Sequence, residues 1–351
     1  MVEADTLGDE RETAAAVAVT AGDETAFAEL TRRYRRELHV HCYRMLASFE
    51  DAEDLVQETF LRAWQKRATY QGRAPFRAWL YRIATNACLD FLARHERRVV
   101  EISAQGEPSN KDLTLPHVEW LQPFPDRLLE IDTQAQGDAD ALVIRRETIE
   151  LAFLVALQYL PPKQRAVLIL RDVLDWSAQE TATLLDSSTA SINAALQRAR
   201  ATLRRHQPRR DNPSALQGIS KDEMLLAKQY ADAADPLDAE ALTRLLRDDA
   251  RFTMPPSPIA IVGNRACVQS WIEGGLGQPP FDDFKFVFTS ANRLPAVANY
   301  IRKPGDTHYR PFLLDVLRVE SGGIADIVAF ELPEELVNAV ALPKTLPTEA
   351  T

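Results

Sequence analysis

STASINAALQRARATLRRHQPRR, Ser188 to Arg210, carries six arginines and no carboxylate, in a chain of 351 residues whose formal net charge is -10. Placed at about 100° per residue, Ile192, Ala195, Leu196, Ala199 and Leu203 share one sector, and Asn193, Gln197, Arg200 and Arg204 share another. The stretch therefore predicts an amphipathic helix whose free side is polar and basic. Just upstream, SAQE at Ser177 to Glu180 has the spacing of a capping box, in which Ser177 caps and Glu180 reaches back. That helix should run to about Leu185. Asp186, Ser187 and Ser188 then make a short turn, and Ser187 or Ser188 caps the next helix.

Two short helices joined by a tight turn, the second basic on its free side, form the geometry that enters a major groove with its first residues on base edges. Ser188, Thr189, Ser191 and Asn193 are placed nearest the bases. Arg198, Arg200, Arg204 and Arg205 are placed for phosphates or base edges. A solvated helix face normally mixes signs, whereas this one has no acid. Global acidity is no obstacle to nucleic acid, because charge is screened over about 8 to 10 Å and only the local face matters.

The chain has 46% hydrophobic residues, enough for two or three domains each with its own core. No run of about 18 apolar residues is present, and the acidic start of the chain has the wrong charge order for a signal peptide, so a cytoplasmic location is expected and no membrane partner. Cys42, Cys88 and Cys267 are far apart, with no metal-ligand spacing, and read as buried thiols; no metal and no cofactor is expected. The expected organisation is a flexible N-terminal tail (1–21), a helical block (22–98), an acidic linker rich in Pro and Gly (99–140), a second helical block (141–207), a short linker (208–218), an α+β domain (219–333) and a C-terminal tail (334–351). Within the first linker, the aromatic island VEWLQPFPD (118–126) suggests that Trp120 and Phe124 are held against something.

In SFEDAEDLVQETFLRAW (48–64), Ala52, Leu55, Val56, Thr59, Phe60 and Ala63 make a buried stripe. The opposite face carries Glu50, Asp54, Gln57 and Glu58 around Leu61. An apolar anchor inside a polar ring is a plausible partner site, and a solvated acidic face with one stray leucine is the bland alternative.

DAEDLVQETFLRAW followed by RATYQGRAPFRAWLYRIATNACLDFLARHERR (67–98) resembles the second conserved domain of sigma-70 family factors, in particular the extracytoplasmic-function (ECF) group. LQYLPPKQRAVLILRDVLDWSAQETATLLDSSTASINAALQRARATL (157–203) resembles the group's fourth domain, which reads the promoter -35 element by a helix-turn-helix. The resemblance implies that Asp54, Gln57, Glu58 and Leu61 bind core RNA polymerase. It also implies that the helix from Pro75 reads the melted -10 strand, with Tyr70, Arg73, Arg77, Trp79, Arg82, Asn86 and Asp90 as candidates for stacking, edge reading and backbone contact. Trp79 reads equally well as core. The linker would thread the polymerase channel or serve as a solvated spacer.

The C-terminal third, beginning LAKQYADAADPLDAEALTRLLRDDARFTMPP (226–256), resembles SnoaL-like members of the NTF2-like superfamily, a curved sheet wrapped by helices. The fold class expected is thus multidomain: two all-α sigma domains plus an α+β NTF2-like cone. In the cone, Phe252, Met254, Trp271, Tyr300 and Phe312 are candidates to line an apolar pocket or to be core. His308 reads as exposed. Asp315, in an apolar strand, finds no assignable partner, so no catalysis is expected. The function implied is a promoter-specificity subunit whose partners are core RNA polymerase and promoter DNA, its C-terminal domain regulating activity. An anti-sigma factor or a small ligand at that domain, and the oligomeric state, stay open. The alternative is a helix-turn-helix regulator fused to an NTF2-like isomerase or hydrolase.

Overall fold

The structure, a computed structural model, describes residues 12–106, 113–129, 149–206 and 219–348, apart from 236, 282, 321 and 322. The chain divides into two compact units. The first holds residues up to 98 and from 153 to 207; the second holds 99–130, 138–152 and everything from 208 onward.

The first unit is helical: α1 (12–20), α2 (Glu24–Leu46), α3 (Phe49–Gln65), α4 (Phe76–Arg94), α5 (Leu151–Gln158), which begins at the unit boundary, α6 (Pro162–Leu168), α7 (Ala178–Leu184) and α8 (Thr189–His206). Local chemistry sets its boundaries. The Asp23 carboxylate accepts from the Ala26 N–H at the start of α2, and the Ser48 hydroxyl accepts from Asp51 N–H at the start of α3. Ser177 and Glu180 form the reciprocal capping box on α7, as their spacing predicts. The buried residues of α3 are Ala52, Leu55, Val56, Thr59, Phe60 and Ala63, the stripe read from the sequence. In α4 the buried residues, Phe76, Leu80, Tyr81, Ala84, Thr85, Ala87, Cys88 and Leu92, are spread over more than one side of the helix. The reason is its position: α4 packs against α2, α3 and α6, so it has more than one apolar side. It begins at Phe76 with Pro75 as its cap, one residue after the predicted start. The expected tail also needs correction, since residues 12–20 are helical and Ala16 and Val19 are buried; residues 1–11 lie outside the described residues.

The second unit is built on a sheet of β2 (Gln105–Gly106), β4 (Leu246–Met254), β5 (Ser257–Val262), β6 (Phe284–Ala291), β7 (Leu294–Ile301), β8 (His308–Glu320) and β9 (Gly323–Glu331), in the order β2-β5-β4-β9-β8-β7-β6. Helices α9 (Lys221–Ala234), α10 (Ala239–Leu245) and α11 (Asn264–Glu273) supply the apolar residues that join one face of this sheet in a single core with Phe252, Val297, Leu317, Ile327 and Ala329. This is the helix-wrapped α+β architecture expected of the C-terminal third. The expected C-terminal tail belongs to it: α12 (Glu334–Val340) buries Leu336, Val337 and Val340, and β10 (Leu346–Pro347) pairs with β8.

The described parts of the acidic linker also belong to this unit and so are not a solvated spacer. β1 (Val100–Ser103) pairs with β3 (Thr114–His117), and β2 adds to the sheet edge parallel to β5. The physical reason lies in the aromatic island. Phe124 is fully buried, and its backbone is held from both sides: its N–H donates to the Asn292 side-chain oxygen (2.8 Å), and its carbonyl accepts from the Asn292 N–H (2.9 Å). Asn292 and Arg293, both at positive φ, form the two-residue turn between β6 and β7, a position that asparagine tolerates. The Asn292 amide also donates to the Ile149 carbonyl (2.7 Å), the Arg293 N–H donates to Asp126 (2.7 Å), and Arg127 donates to the Asn338 carbonyl (2.8 Å). Linker segments before and after residues 130–148 are thus bound by one hairpin turn.

Replacing Asn292 with Ala strips two buried backbone groups of their partners and should destabilise the second unit by about 2 to 4 kcal/mol. Limited proteolysis should then cut between residues 99 and 129 sooner than in the unaltered chain. Unchanged protection there would show that Asn292 is not the clamp.

Candidate polymerase and promoter interfaces

On α3 the face away from the core presents Asp54, Gln57 and Leu61 to solvent, with Leu61 58% exposed. Glu58 is half-buried and engaged, its carboxylate accepting from Arg62 at 2.6 Å. Three of the four predicted core-binding residues are therefore free to meet a partner, and the fourth braces the helix. A leucine this exposed on a helix with a full apolar stripe elsewhere costs hydration and contributes nothing to the unit's own core.

The predicted -10 residues gather around the start of α4 and the loop before it. Tyr70, Phe76 and Trp79 pack their rings at 5.3 to 5.5 Å between centroids, with Tyr70 and Trp79 half-buried and Phe76 buried. Trp79 is thus both partly packed and partly available. Arg73 is exposed, whereas Arg77 is half-buried, paired with Glu37 and set over the Tyr81 ring at 5.1 Å. Asp90 pairs with Arg62 (3.1 Å), and Asn86 is half-buried on the flank between. Arg77 therefore holds the surface in shape, while Tyr70, Arg73, Trp79, Arg82, Asn86 and Asp90, the last tied to Arg62, make the part that solvent reaches.

On α8, Ile192, Leu196 and Ala199 are buried and Ser188, Thr189, Ser191, Asn193, Arg198, Arg200, Arg204 and Arg205 are all exposed. The Ser188 hydroxyl accepts from the Ser191 N–H at 3.1 Å, so it is the cap left open by the sequence and its oxygen is already engaged. Arg200 is paired with Asp172 at 2.7 Å, an acid contributed by the turn after α6 and invisible within the quoted stretch. Arg209 and Arg210 lie outside the described residues.

The two helical blocks meet inside the first unit. Arg165 of α6 is wholly buried, and its guanidinium donates to the carbonyls of Met45, Leu157 (3.0 Å), Gln158 (3.2 Å) and Leu160 (3.2 Å) and to the Gln158 side chain (2.7 Å). Burial, reinforced by the charge of Arg97, pulls its guanidinium down to about 9, which leaves it charged at neutral pH. Met45 ends α2, so this cage ties the second block to the first. Beside it, Tyr81 of α4 packs on Trp176 at 5.4 Å, and Arg82 donates to Asp186 in the helix-turn-helix turn at 2.8 Å. A -10 candidate is thereby engaged by the element that leads into the recognition helix. Sequence reasoning missed Arg165; the only signal was a lone arginine in a run that packs on both sides.

In the second unit, Asp315 does have partners. Its carboxylate Oδ2 accepts from the Tyr230 hydroxyl of α9 (3.0 Å) and from the Asn299 side-chain amide of β7 (2.8 Å), and all three residues are buried. Phe252 and Trp271 pack edge to face at 5.5 Å on the same core, and Met254 joins them. Tyr300 does not: it faces the other side, donating to the Pro343 carbonyl at 2.6 Å, because strand alternation puts it opposite Asn299. His308 is exposed, as expected. The three cysteines are free and buried, and no cluster of His, Cys, Asp and Glu among the described residues is arranged to hold a metal ion. Nor is any helix among them long and apolar enough to cross a membrane.

Burial raises the Asp315 carboxyl from an ordinary 3.8 to about 6, against the opposing bonds from Asn299 and Tyr230. Between those values the folded form holds a proton that the unfolded chain has lost, so stability falls as pH rises from about 4 to 6 and stays reduced above. The difference amounts to at most roughly 3 kcal/mol. Asp315→Asn should therefore melt higher than the unaltered chain at pH 7.5 and equally at pH 4. A variant that melts lower at both values would refute this.

Comparison with known proteins identifies the two helical blocks. Residues 30–98 match the Sigma-70 region 2 family and residues 150–203 match Sigma-70 region 4, which defines the class as a sigma-70-type promoter-specificity factor of RNA polymerase. The chain is 38% identical over 323 residues to the ECF RNA polymerase sigma factor SigG of Mycobacterium tuberculosis, covering 91% of this chain and 85% of that one. It is 32% identical over 185 residues to SigM of the same species, covering 53% of this chain and 79% of that one. The chain belongs to the ECF RNA polymerase sigma factor family. The crystal structure of the extracytoplasmic function sigma factor SigJ from M. tuberculosis superposes with a TM-score of 0.57 at 20% identity over 90% of this chain and 99% of that one, a likeness of fold that includes the C-terminal unit.

Proposed function

We propose that this sigma factor binds core RNA polymerase through Asp54, Gln57 and Leu61 of α3, with Glu58 bracing them, and reads promoter DNA through the two surfaces just described. The observation that carries the reading is the exposed Leu61 among polar residues on a helix whose other side is fully packed. Thr189, Ser191 and Asn193 face the base edges of the -35 element, with Ser188 as the helix cap and Arg198, Arg204 and Arg205 on phosphates. Arg200, already neutralised by Asp172, orients the helix. At the -10 element Tyr70 and Trp79 stack on unpaired bases, Arg73 and Arg82 meet the strand, and Asn86 reads an edge. Arg77 and Asp90 keep that surface in place.

The arrangement of the first unit is the resting one in this reading. Arg82 must leave Asp186 to reach DNA, so polymerase and promoter are bound at the expense of the contact between the two regions. The second unit regulates this step by holding the linker. Region 4 is connected to that unit at both of its ends, and the Asn292 clamp sets how far it can travel. Neither an anti-sigma factor nor catalysis is required, and the site of action is the cytoplasm, where polymerase and chromosome are.

Promoter-dependent transcription from a genomic template pool, with purified core polymerase and the full chain, tests the reading. Discrete transcripts are expected. Leu61→Arg should lower core affinity at least tenfold, as loss of a central apolar anchor does, without lowering the melting temperature. Asn292→Ala should change transcript yield at least threefold with core affinity unaltered. No transcript from any template would end the sigma reading, and an unaltered yield from Asn292→Ala would end the regulatory one.

A further inference from the structure

A carboxylate from the first helix lies against the surface assigned to the -10 element. Glu12, at the start of α1, pairs with Arg33 of α2 at 3.3 Å, and its side chain is only 11% exposed against 54% for Arg33. It also accepts a hydrogen bond from the hydroxyl of the buried Tyr34. Arg33 is set over the Tyr34 ring at 5.6 Å, so a cation and a hydroxyl donor converge on one carboxylate. Burial, and then the bond to Glu12, raises the Tyr34 hydroxyl well above its ordinary value and keeps it a donor at neutral pH. A guanidinium and a donor held side by side make an anion site.

The site adjoins the stacking residues. Tyr34 lies 6.4 Å from Phe76 between ring centroids, and Phe76 packs on both Tyr70 and Trp79. Glu12 is near enough to Tyr70 for its charge to add to burial in raising that hydroxyl as well. A strand whose bases stack on Tyr70 and Trp79 carries a phosphate for each base, with the charge and acceptor oxygens that the carboxylate has. The carboxylate's own attachment is slight. Of the residues of α1 only Ala16 and Val19 are buried, Val17 is 61% exposed, and a helix this short is marginal in water by itself. Residues 1–12 carry Glu3, Asp5, Asp9, Glu10 and Glu12 against Arg11 alone, so DNA repels the segment as a whole.

We propose that Arg33 and Tyr34 form a further phosphate site of the -10 surface, filled by Glu12 in the free chain and taken over by the backbone of single-stranded DNA when α1 is displaced. The exchange replaces one anion by another, so the Tyr34 donor has an acceptor at either stage. The inference rests on the -10 reading of Tyr70 and Trp79, and adds to it a contact on α2 that α4 does not supply.

The test is fluorescence anisotropy of the full chain with a labelled single strand of about twelve thymidines, unlabelled duplex DNA being present to occupy α8. Glu12→Gln should bind the strand at least threefold tighter than the unaltered chain. Glu29→Gln, which removes the same charge from an exposed position on α2, should not. The slope of log affinity against log salt should steepen by about 0.7 in Glu12→Gln, since one more phosphate is neutralised without a carboxylate being released. In an Arg33→Ala background the gain from Glu12→Gln should vanish. Equal affinities of the unaltered and Glu12→Gln chains, a gain matched by Glu29→Gln, or a gain that survives Arg33→Ala overturns the inference. So does a strand that neither chain binds at concentrations up to about 100 μM. Tyr70→Ala separates this inference from the -10 reading. If that variant binds as tightly as the unaltered chain, both fall; if it binds more weakly and Glu12→Gln brings no gain, this inference falls alone. Amide exchange decides without any substitution: in the unaltered chain the bound strand should speed exchange across residues 12–20, and unchanged or slower exchange there overturns the inference.

Discussion

The two-way hydrogen bond between Phe124 and Asn292 is the constraint on which the organisation of this chain depends. It adds to the pairing of β2 with β5 and the packing of Leu115 on Ala260 and Val262, which hold the earlier part of residues 99–129 to the same unit. With it, the burial of Phe124 is combined with satisfaction of its backbone, and two further bonds from the same hairpin turn, one to Ile149 and one to Asp126, extend the hold in both directions. The consequence is topological. Region 4 follows a segment anchored on the second unit and precedes α9, which is part of that unit's core. Region 4, fastened to region 2 by the Arg165 cage, is thus also continuous in sequence at both ends with segments of the second unit.

Arg165 in the first unit and Asp315 in the second meet burial in opposite ways. Arg165 is surrounded by carbonyl oxygens and remains ionised, because five acceptors replace the water that the guanidinium loses. The cage works only while α2 and α6 are together, so the charge makes that contact specific: prising the blocks apart returns the guanidinium to solvent and leaves the carbonyl of Met45 to find another donor. Asp315 has only two donors and no cation, so it meets its surroundings by holding a proton more tightly instead. One group fastens α2 to α6 in the first unit; the other sits on a sheet face covered by α9 and α11. That difference in partners, and not burial as such, is why Arg165 stays charged and Asp315 holds its proton to a higher pH.

What could be read in the sequence was what is carried by residues close together in it. The stripe on α3, the capping box at Ser177, the exposed Leu61 and the basic face of α8 follow from helical period and short-range hydrogen bonding, and each stands where its spacing puts it. The reading failed where the partner lies far along the chain. Asp186 meets Arg82 across 104 positions, Arg165 meets Met45 across 120, and Phe124 meets Asn292 across 168. The aromatic island did announce that something must cover Trp120 and Phe124, but no local pattern names a hairpin turn in another domain. The stack of expected pocket residues shows the same limit on a smaller scale: Tyr300 was separated from Asn299 by one position, and the alternation of a strand sent them to opposite faces.

These long-range contacts also account for a basic helix in an acidic protein. Of the arginines on α8, Arg200 is neutralised within the unit by Asp172, so the acid lacking in the local sequence is supplied by the fold at that position. Arg198, Arg204 and Arg205 are exposed, and their charge is left for a polyanion. Acid elsewhere in the first unit is used in the same selective way. Asp51, Glu37 and Glu58 are tied to Arg97, Arg77 and Arg62, whereas Asp54 next to Leu61 is exposed. Charge that shapes the fold is thus paired inside it. Exposed charge on α3 beside Leu61 is acidic and on α8 basic, and the net value of -10 describes neither.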